Sequence, residues 1–148
     1  RVPVAALDPG LTLMIKVMPW YGIATLMSCE GHGYAGPPKI APEIFFPGDH
    51  HSRWAECILH TLFPEYKENW IFEHNFGEVS RWYPYGRDRL SLEAHAEAID
   101  QLNDMARRMM APSIAATFRA HKQKLKRQTD LYDSEMFEHK FLMDQRVF

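Results

Sequence analysis

The sequence predicts an α+β fold, in which helices and a mainly antiparallel four-stranded sheet form a two-layer sandwich and a helical C-terminal tail follows. Apolar residues recur at helical spacing in several segments, and short apolar runs between glycines and prolines indicate strands. No parallel β-α-β alternation is evident, so the predicted order is α-β-β-α-β-β. The 148 residues, 46% of them hydrophobic, suit one α+β domain at 1–111. A helical extension at 112–148 is expected to pack on that domain or to serve as an interface.

The first helix and strand are predicted from signals at their ends. Asp8 is suited to the N-cap and Pro9 to the first helical position. Gly22 supplies a left-handed stop, and the apolar run 23–28 then predicts a short buried strand. The helix itself is predicted from apolar residues at helical spacing: Leu11, Met14, Ile15 and Met18.

The middle of the chain predicts a loop, a strand and a second helix. Residues 29–38 are rich in glycine and proline, which is typical of a loop. Residues 40–46 predict a strand that Pro42 confines to a sheet edge or a bulge. Asp49 is predicted to cap a helix that ends at about Leu62. One face of this helix is apolar: Trp54, Ala55, Ile58, Leu59 and Leu62.

The second half of the chain predicts a hairpin and two further helices. Residues 70–72 and 79–85 predict two strands joined near 75–77. Apolar spacing predicts a third helix over 92–110, and Pro112 is suited to begin a fourth. The last residues have a mixed pattern, and we predict a helical tail there.

The turn after the first strand combines groups that can do chemistry, and its sequence is Ser28-Cys29-Glu30-Gly31-His32-Gly33. A thiol beside an imidazole can be activated as a thiolate, and glycine N–H groups can form a nest for an anion. The predicted catalytic residues are Cys29 as nucleophile or ligand, and Glu30 or His32 as acid or base. Ser28, Gly31 and Gly33 are predicted to contact the ligand. The alternative is a tight turn with a buried, unreactive thiol.

The spacing Cys-x-x-His occurs twice, at Cys29/His32 and at Cys57/His60. Thiolate and imidazole are the usual ligands of structural zinc, and four of them close a tetrahedron. One hypothesis is therefore a zinc site that bridges the first loop and the second helix. A looser variant replaces part of this set with His50 or its neighbour His51. The alternative is that Cys57, inside an amphipathic helix, is a small hydrophobic core residue, with His60 pointing further toward solvent.

The charge of the chain argues against a strongly basic nucleic-acid binder, because 17 Lys and Arg residues and 19 Asp and Glu residues give a net charge of −2. One basic cluster consists of Arg119, Lys122, Lys124, Lys126 and Arg127. The favoured interpretation is a solvated helix face, and the alternative is contact with phosphates. Three aromatic residues near Arg81 and Arg87 are candidates for stacking on bases, although such a strand usually packs one face into the core. They are Trp82, Tyr83 and Tyr85.

The segment that runs from the first helix to His32 carries a resemblance to known proteins. Its end, Met27-Ser28-Cys29-Glu30-Gly31-His32, resembles the Ser-Cys-x-Gly-His turn of small uncharacterised proteins of phages and mobile elements. It is also similar to the wybutosine-synthesis methyltransferase family, in which a helix and a strand lead into a Ser-Ser-Cys-Ser-Gly-Arg turn. Here Met27 replaces the first Ser and His32 replaces the Arg. The resemblance implies a pocket around Ser28, Cys29 and His32 for a polar, nucleotide-like ligand, and it does not imply methyl transfer.

Two hypotheses of different classes follow. The first is a cytoplasmic protein whose polar pocket at this turn binds a small polar ligand or a metal, with or without catalysis, and receives His50, His51 or Cys57 from the second helix. The second is a non-enzymatic interaction or inhibitor protein of a phage or mobile element, with the helical tail and surface aromatics as its interface. Two cysteines and the absence of a visible signal peptide predict a cytoplasmic location. No run of about 18 apolar residues exists, so no membrane span is predicted.

Overall fold

The computed structural model describes residues 11–29, 41–75 and 79–146. Within them the helices are α1 (Thr12–Val17), α2 (Asp49–Leu62), α3 (Leu92–Met109) and α4 (Pro112–Arg146). The strands are β1 (Met27–Cys29), β2 (Glu43–Phe46), β3 (Trp70–Glu73) and β4 (Ser80–Pro84). The predicted α+β class and the helical C-terminal region are therefore confirmed.

The sheet is antiparallel throughout. Strands β2, β4 and β3 lie side by side, and the short strand β1 pairs with the other edge of β2, so the order is β1-β2-β4-β3. Trp82 in β4 lies opposite Ile44 on one side and opposite Phe72 on the other. The side chains of Ile44 and Trp82 point into the core and are 0% and 2% exposed. Since strand side chains alternate, Phe45 and Tyr83 lie on the opposite face and are half-buried.

Helix α2 packs on the sheet, and α4 packs chiefly against α2. The predicted apolar face of α2 is confirmed, since all five of its residues are buried. Helix α4 packs on α2 rather than on the sheet. The predicted two-layer sandwich therefore needs a correction, because α2 lies between the strands and α4. Phe118 of α4 fixes this arrangement, with its ring 4.7 Å from that of Tyr21 and 6.1 Å from that of Trp54.

The predicted strand at 23–28 begins later than expected. Residues 18–21 form a short 3₁₀ turn that ends at Gly22 with a left-handed φ of 73°. Ile23 is 1% exposed, but its N–H donates to the Met18 carbonyl at 3.1 Å, which satisfies the backbone without a strand partner. Pairing with β2 starts where the Leu26 N–H donates to the Phe45 carbonyl at 2.8 Å.

Two further sequence predictions differ from the structure, and a third is not tested by it. The second strand begins at Glu43 rather than near residue 40. Asp49 does not cap α2, because Gly48 occupies the N-cap and the Asp49 carboxylate accepts a hydrogen bond from Ser80 Oγ at 2.8 Å. The predicted start of the first helix at Asp8 and Pro9 lies outside the described residues.

None of the helices in the described part of the chain is long and apolar enough to cross a bilayer.

Candidate functional site

Most of the predicted site at the first turn lies outside the described residues, since Glu30, Gly31, His32 and Gly33 fall in the gap at 30–40. The backbone of Ser28 and Cys29 belongs to β1, where these residues lie opposite Ile44 and Glu43 of β2. The catalytic and ligand-binding roles assigned to this turn stay predictions.

The second Cys-x-x-His pair is described, and Cys57 has the environment of a core residue. Cys57 is 7% exposed, and burial raises the pKa of its thiol, so the thiolate that a metal needs is disfavoured. His60 also points inward rather than toward solvent: its Nε2 is buried, its ring lies 5.5 Å from that of Phe72, and burial lowers its pKa. Among the described residues no group of three or more His, Cys, Asp or Glu side chains is placed to hold a metal ion. A zinc site completed by Cys29 and His32 stays a prediction.

Helices α2 and α4 are joined by an ionic bridge that the sequence did not indicate. Asp133 of α4 accepts a hydrogen bond from Arg53 Nη1 at 3.0 Å, and its other oxygen lies 2.6 Å from His50 Nδ1. Arg53 is 5% exposed, and its Nη2 lies 3.8 Å from Asp49 Oδ2. No local motif marks this bridge, because its partners are about 80 positions apart in the chain.

Beside this bridge, a cleft of about 200 Å³ opens between the first turns of α2 and the middle of α4. We call it the α2–α4 cleft. Lys122 and Lys126, one turn apart on α4, lie across it from His50 and His51 of α2. The lining is completed by Gly22, Trp54, Thr129 and Asp130. All five residues of the basic cluster are exposed, as the favoured interpretation of a solvated helix face expects, and two of them also line this cleft.

One wall of the cleft is rigid. Trp54 is 9% exposed, and its Nε1–H donates to the Tyr21 carbonyl at 2.9 Å. A Cβ on Gly22 would lie 3.3 Å from Trp54 Nε1, so the missing side chain lets the indole reach that carbonyl. The indole is thus held in place before any ligand enters.

The electrostatics of the cleft favour an anion. Burial, and secondarily the neighbouring His50, lower the pKa of His51, so its imidazole is largely neutral at pH 7. Lys122 and Lys126 supply two positive charges against one negative charge from Asp130.

Ser52, His74 and Glu56 have the order of a hydroxyl–imidazole–carboxylate relay, but among the described residues only the first pair is hydrogen-bonded and His74 Nε2 has no hydrogen-bond partner. Ser52 Oγ lies 2.7 Å from His74 Nδ1, and His74 Nε2 lies 3.4 Å from Glu56 Oε1. Ser52 is 0% exposed, however, and its hydroxyl donates to the Asp49 carbonyl at 3.0 Å. A hydroxyl that solvent cannot reach cannot attack a substrate. The hydrogen bond between Ser52 and His74 therefore holds α2 to the end of β3.

The aromatic residues predicted to stack on bases are split by the structure. Trp82 is a core residue, 2% exposed. The guanidinium of Arg87 covers the ring of Tyr83 at 4.1 Å and also donates to Glu43 at 2.7 Å. Tyr85 is 72% exposed. The three rings therefore do not form a continuous stacking surface.

Comparisons with family models, with curated proteins and with solved structures find no significant match to this chain. Any function must therefore be argued from the geometry of the molecule itself.

Proposed function

We propose that this protein binds a small oxyanion, a phosphate or carboxylate group, in the α2–α4 cleft. The observation that carries the proposal is the placement of Lys122 and Lys126 across a concave site from the imidazole of His51. Charge-assisted hydrogen bonds from lysine are a usual means of holding such anions.

The size of the cleft limits the ligand. At about 200 Å³ it is smaller than the roughly 300–1,000 Å³ pockets that enclose drug-sized molecules. A phosphate monoester or a short carboxylic acid fits these dimensions better than a whole nucleotide. The first sequence hypothesis placed a small polar ligand at the Ser28–Gly33 turn, and the α2–α4 cleft is a different site that shares only His50 and His51 with that hypothesis.

Calorimetric titration with inorganic phosphate tests the proposal. Replacement of Lys126 by Gln should lower the affinity about tenfold, which corresponds to about 1.4 kcal/mol, because one charge-assisted contact is lost. Lys124→Gln is the matched control, since Lys124 is exposed on the same helix and does not line the cleft. Equal losses in the two variants, or no binding by the unaltered protein, would refute the proposal.

The pH dependence gives a second test, for which sulfate is the probe because its charge is constant between pH 6 and 8. A bound anion favours the imidazolium form of His51, whose pKa is lowered in the free protein. Binding therefore takes up a proton, and the affinity should rise as the pH falls from 8 to 6. His51→Gln should flatten this dependence.

The second sequence hypothesis, a protein–protein interaction, is supported by one observation on α4. Leu131 and Tyr132 are 57% and 40% exposed on this helix. Apolar and aromatic side chains of this kind are enriched in interfaces. We expect an interface there to show as self-association in light scattering after size-exclusion chromatography, and Leu131→Glu to abolish it. A monomer at all concentrations would count against self-association.

A further inference from the structure

Asp130 is an unexpected member of the α2–α4 cleft. It lies one helical turn beyond Lys126 and lines the same cavity as the two lysines. It is exposed, and within the described part of the chain no hydrogen bond or ion pair engages it. Asp133, three positions further along α4, is already paired with Arg53 and His50.

A carboxylate in this position weakens the binding of a ligand that carries only negative charge, because like charges brought together in a partly desolvated site repel. The same carboxylate is favourable for a ligand that carries a positive group beside its anionic group.

We infer that the ligand of the α2–α4 cleft is a small zwitterion, with an oxyanion held by Lys122 and Lys126 and an ammonium group held by Asp130. This inference rests on the proposed function and deepens it. It names the class of ligand as phosphorylated or carboxylated small amines, and it makes Asp130 the residue that selects among anions. The lining residues of α4 thus carry both charges that the ligand needs, the two cations of Lys122 and Lys126 followed by the carboxylate of Asp130.

Two probes of matched shape test the inference. O-phosphoethanolamine and n-propyl phosphate differ in having an ammonium or a methyl group at the end of the same short chain. Both phosphate groups are dianions at pH 8. Calorimetry at this pH therefore measures how the ammonium group alone changes the affinity. The unaltered protein should bind phosphoethanolamine about tenfold more tightly.

Asp130→Asn should remove this preference. Its affinity for phosphoethanolamine should fall about tenfold, while its affinity for propyl phosphate stays the same or rises. Glu135→Gln is the control, since Glu135 is exposed on α4 and does not line the cleft. Circular dichroism establishes that each variant is folded.

The outcomes separate the two proposals. If both probes bind the unaltered protein equally and Asp130→Asn changes neither affinity, the zwitterion inference is overturned and the oxyanion site stands. If neither probe nor inorganic phosphate binds, the oxyanion site itself is overturned, and the zwitterion inference with it. A preference for phosphoethanolamine that disappears in Asp130→Asn and persists in Glu135→Gln supports the inference.

Discussion

Arg53 and Asp133 differ in burial, and this difference predicts unequal effects when each is removed. The Arg53 side chain is 6% exposed and that of Asp133 is 32% exposed. Asp133→Ala leaves a guanidinium inside the protein without its main partner, with Asp49 Oδ2 still 3.8 Å away. Arg53→Met removes the buried charge instead and leaves a carboxylate that water can reach. Loss of Asp133, the more exposed partner, should therefore lower the free energy of unfolding more than loss of Arg53 does.

The magnitude follows from the burial. Removal of one partner from a fully buried ion pair costs about 3–5 kcal/mol. Because Asp133 is one-third exposed and Asp49 remains near Arg53, we expect about 2–3 kcal/mol for Asp133→Ala. Replacement of a buried charge by a hydrophobic side chain of similar volume is often nearly neutral, so Arg53→Met should cost about 1 kcal/mol or less.

Urea unfolding followed by circular dichroism measures both effects as changes in the midpoint at a constant slope. The thermal midpoint should fall by roughly 5–10 °C in Asp133→Ala, given about 2–4 °C per kcal/mol for a chain of this size. Asp130→Ala is the control, since it makes the same change on an exposed Asp of the same helix and reports the gain in helix propensity alone. Equal destabilisation by Arg53→Met and Asp133→Ala would contradict the expected difference.

Three further predictions concern other parts of the molecule. Gly22→Ala should destabilise the fold by about 1–2 kcal/mol in urea unfolding, because φ is +73° and the new Cβ would crowd Trp54 Nε1. Cys57 should react with iodoacetamide slowly in the native protein and rapidly in urea, as peptide mass spectrometry would measure, because burial raises the pKa of its thiol. The hydrogen bond to Asp104 raises the pKa of Tyr66 to about 12, so ultraviolet titration should show late ionisation that Asp104→Asn makes earlier. Since the pKa of this folded-state phenol is raised, its stabilising contribution is present below pH 10 and is lost as the pH rises toward 12.

Each of these predictions has a control or a contrary result. Gly86→Ala shares the left-handed φ, at +74°, but its Cβ would meet nothing within 4 Å. The difference between the two glycine variants therefore isolates the contact with Trp54, and equal effects would contradict it. Native alkylation of Cys57 as fast as in urea would show that the thiol is accessible. An unchanged titration in Asp104→Asn would show that the hydrogen bond does not control Tyr66.

The sequence predicted correctly those elements whose ends and buried faces depend only on neighbouring residues in the chain. Helix α2 begins and ends where Gly48 and Pro64 interrupt the pattern, and its apolar face follows from a period that any long amphipathic helix shows. The early start predicted for β1 failed because Ile23 is as apolar as a strand residue, while its backbone is satisfied by the preceding turn. Where a strand begins depends on its partner, which periodicity does not reveal.

The candidate site was less predictable, for a similar reason. His51 was visible as a possible ligand, and the spacing of Lys122 and Lys126 indicates one helix face. What the sequence could not supply is the packing of α4 on α2, which brings these residues together across about 70 positions. The cations of the basic cluster are exposed, as the sequence led us to expect, but only the position of α2 shows that two of them also line a cleft.

The packing of α4 on α2 places the ionic bridge between Arg53 and Asp133 beside the cleft. Whether this bridge shapes the cleft can be tested by whether Asp133→Ala strengthens or weakens the binding of an anion. Asp133→Ala removes a negative charge close to His50, so electrostatics alone should strengthen the binding of an anion. If the bridge instead sets the position of Lys126 relative to α2, its loss should weaken binding. We expect weaker binding of inorganic phosphate by Asp133→Ala, and equal or stronger binding by Asp130→Asn, which changes charge without touching the bridge. Stronger binding by both variants would mean that the cleft keeps its shape without Asp133 and that charge alone governs its affinity.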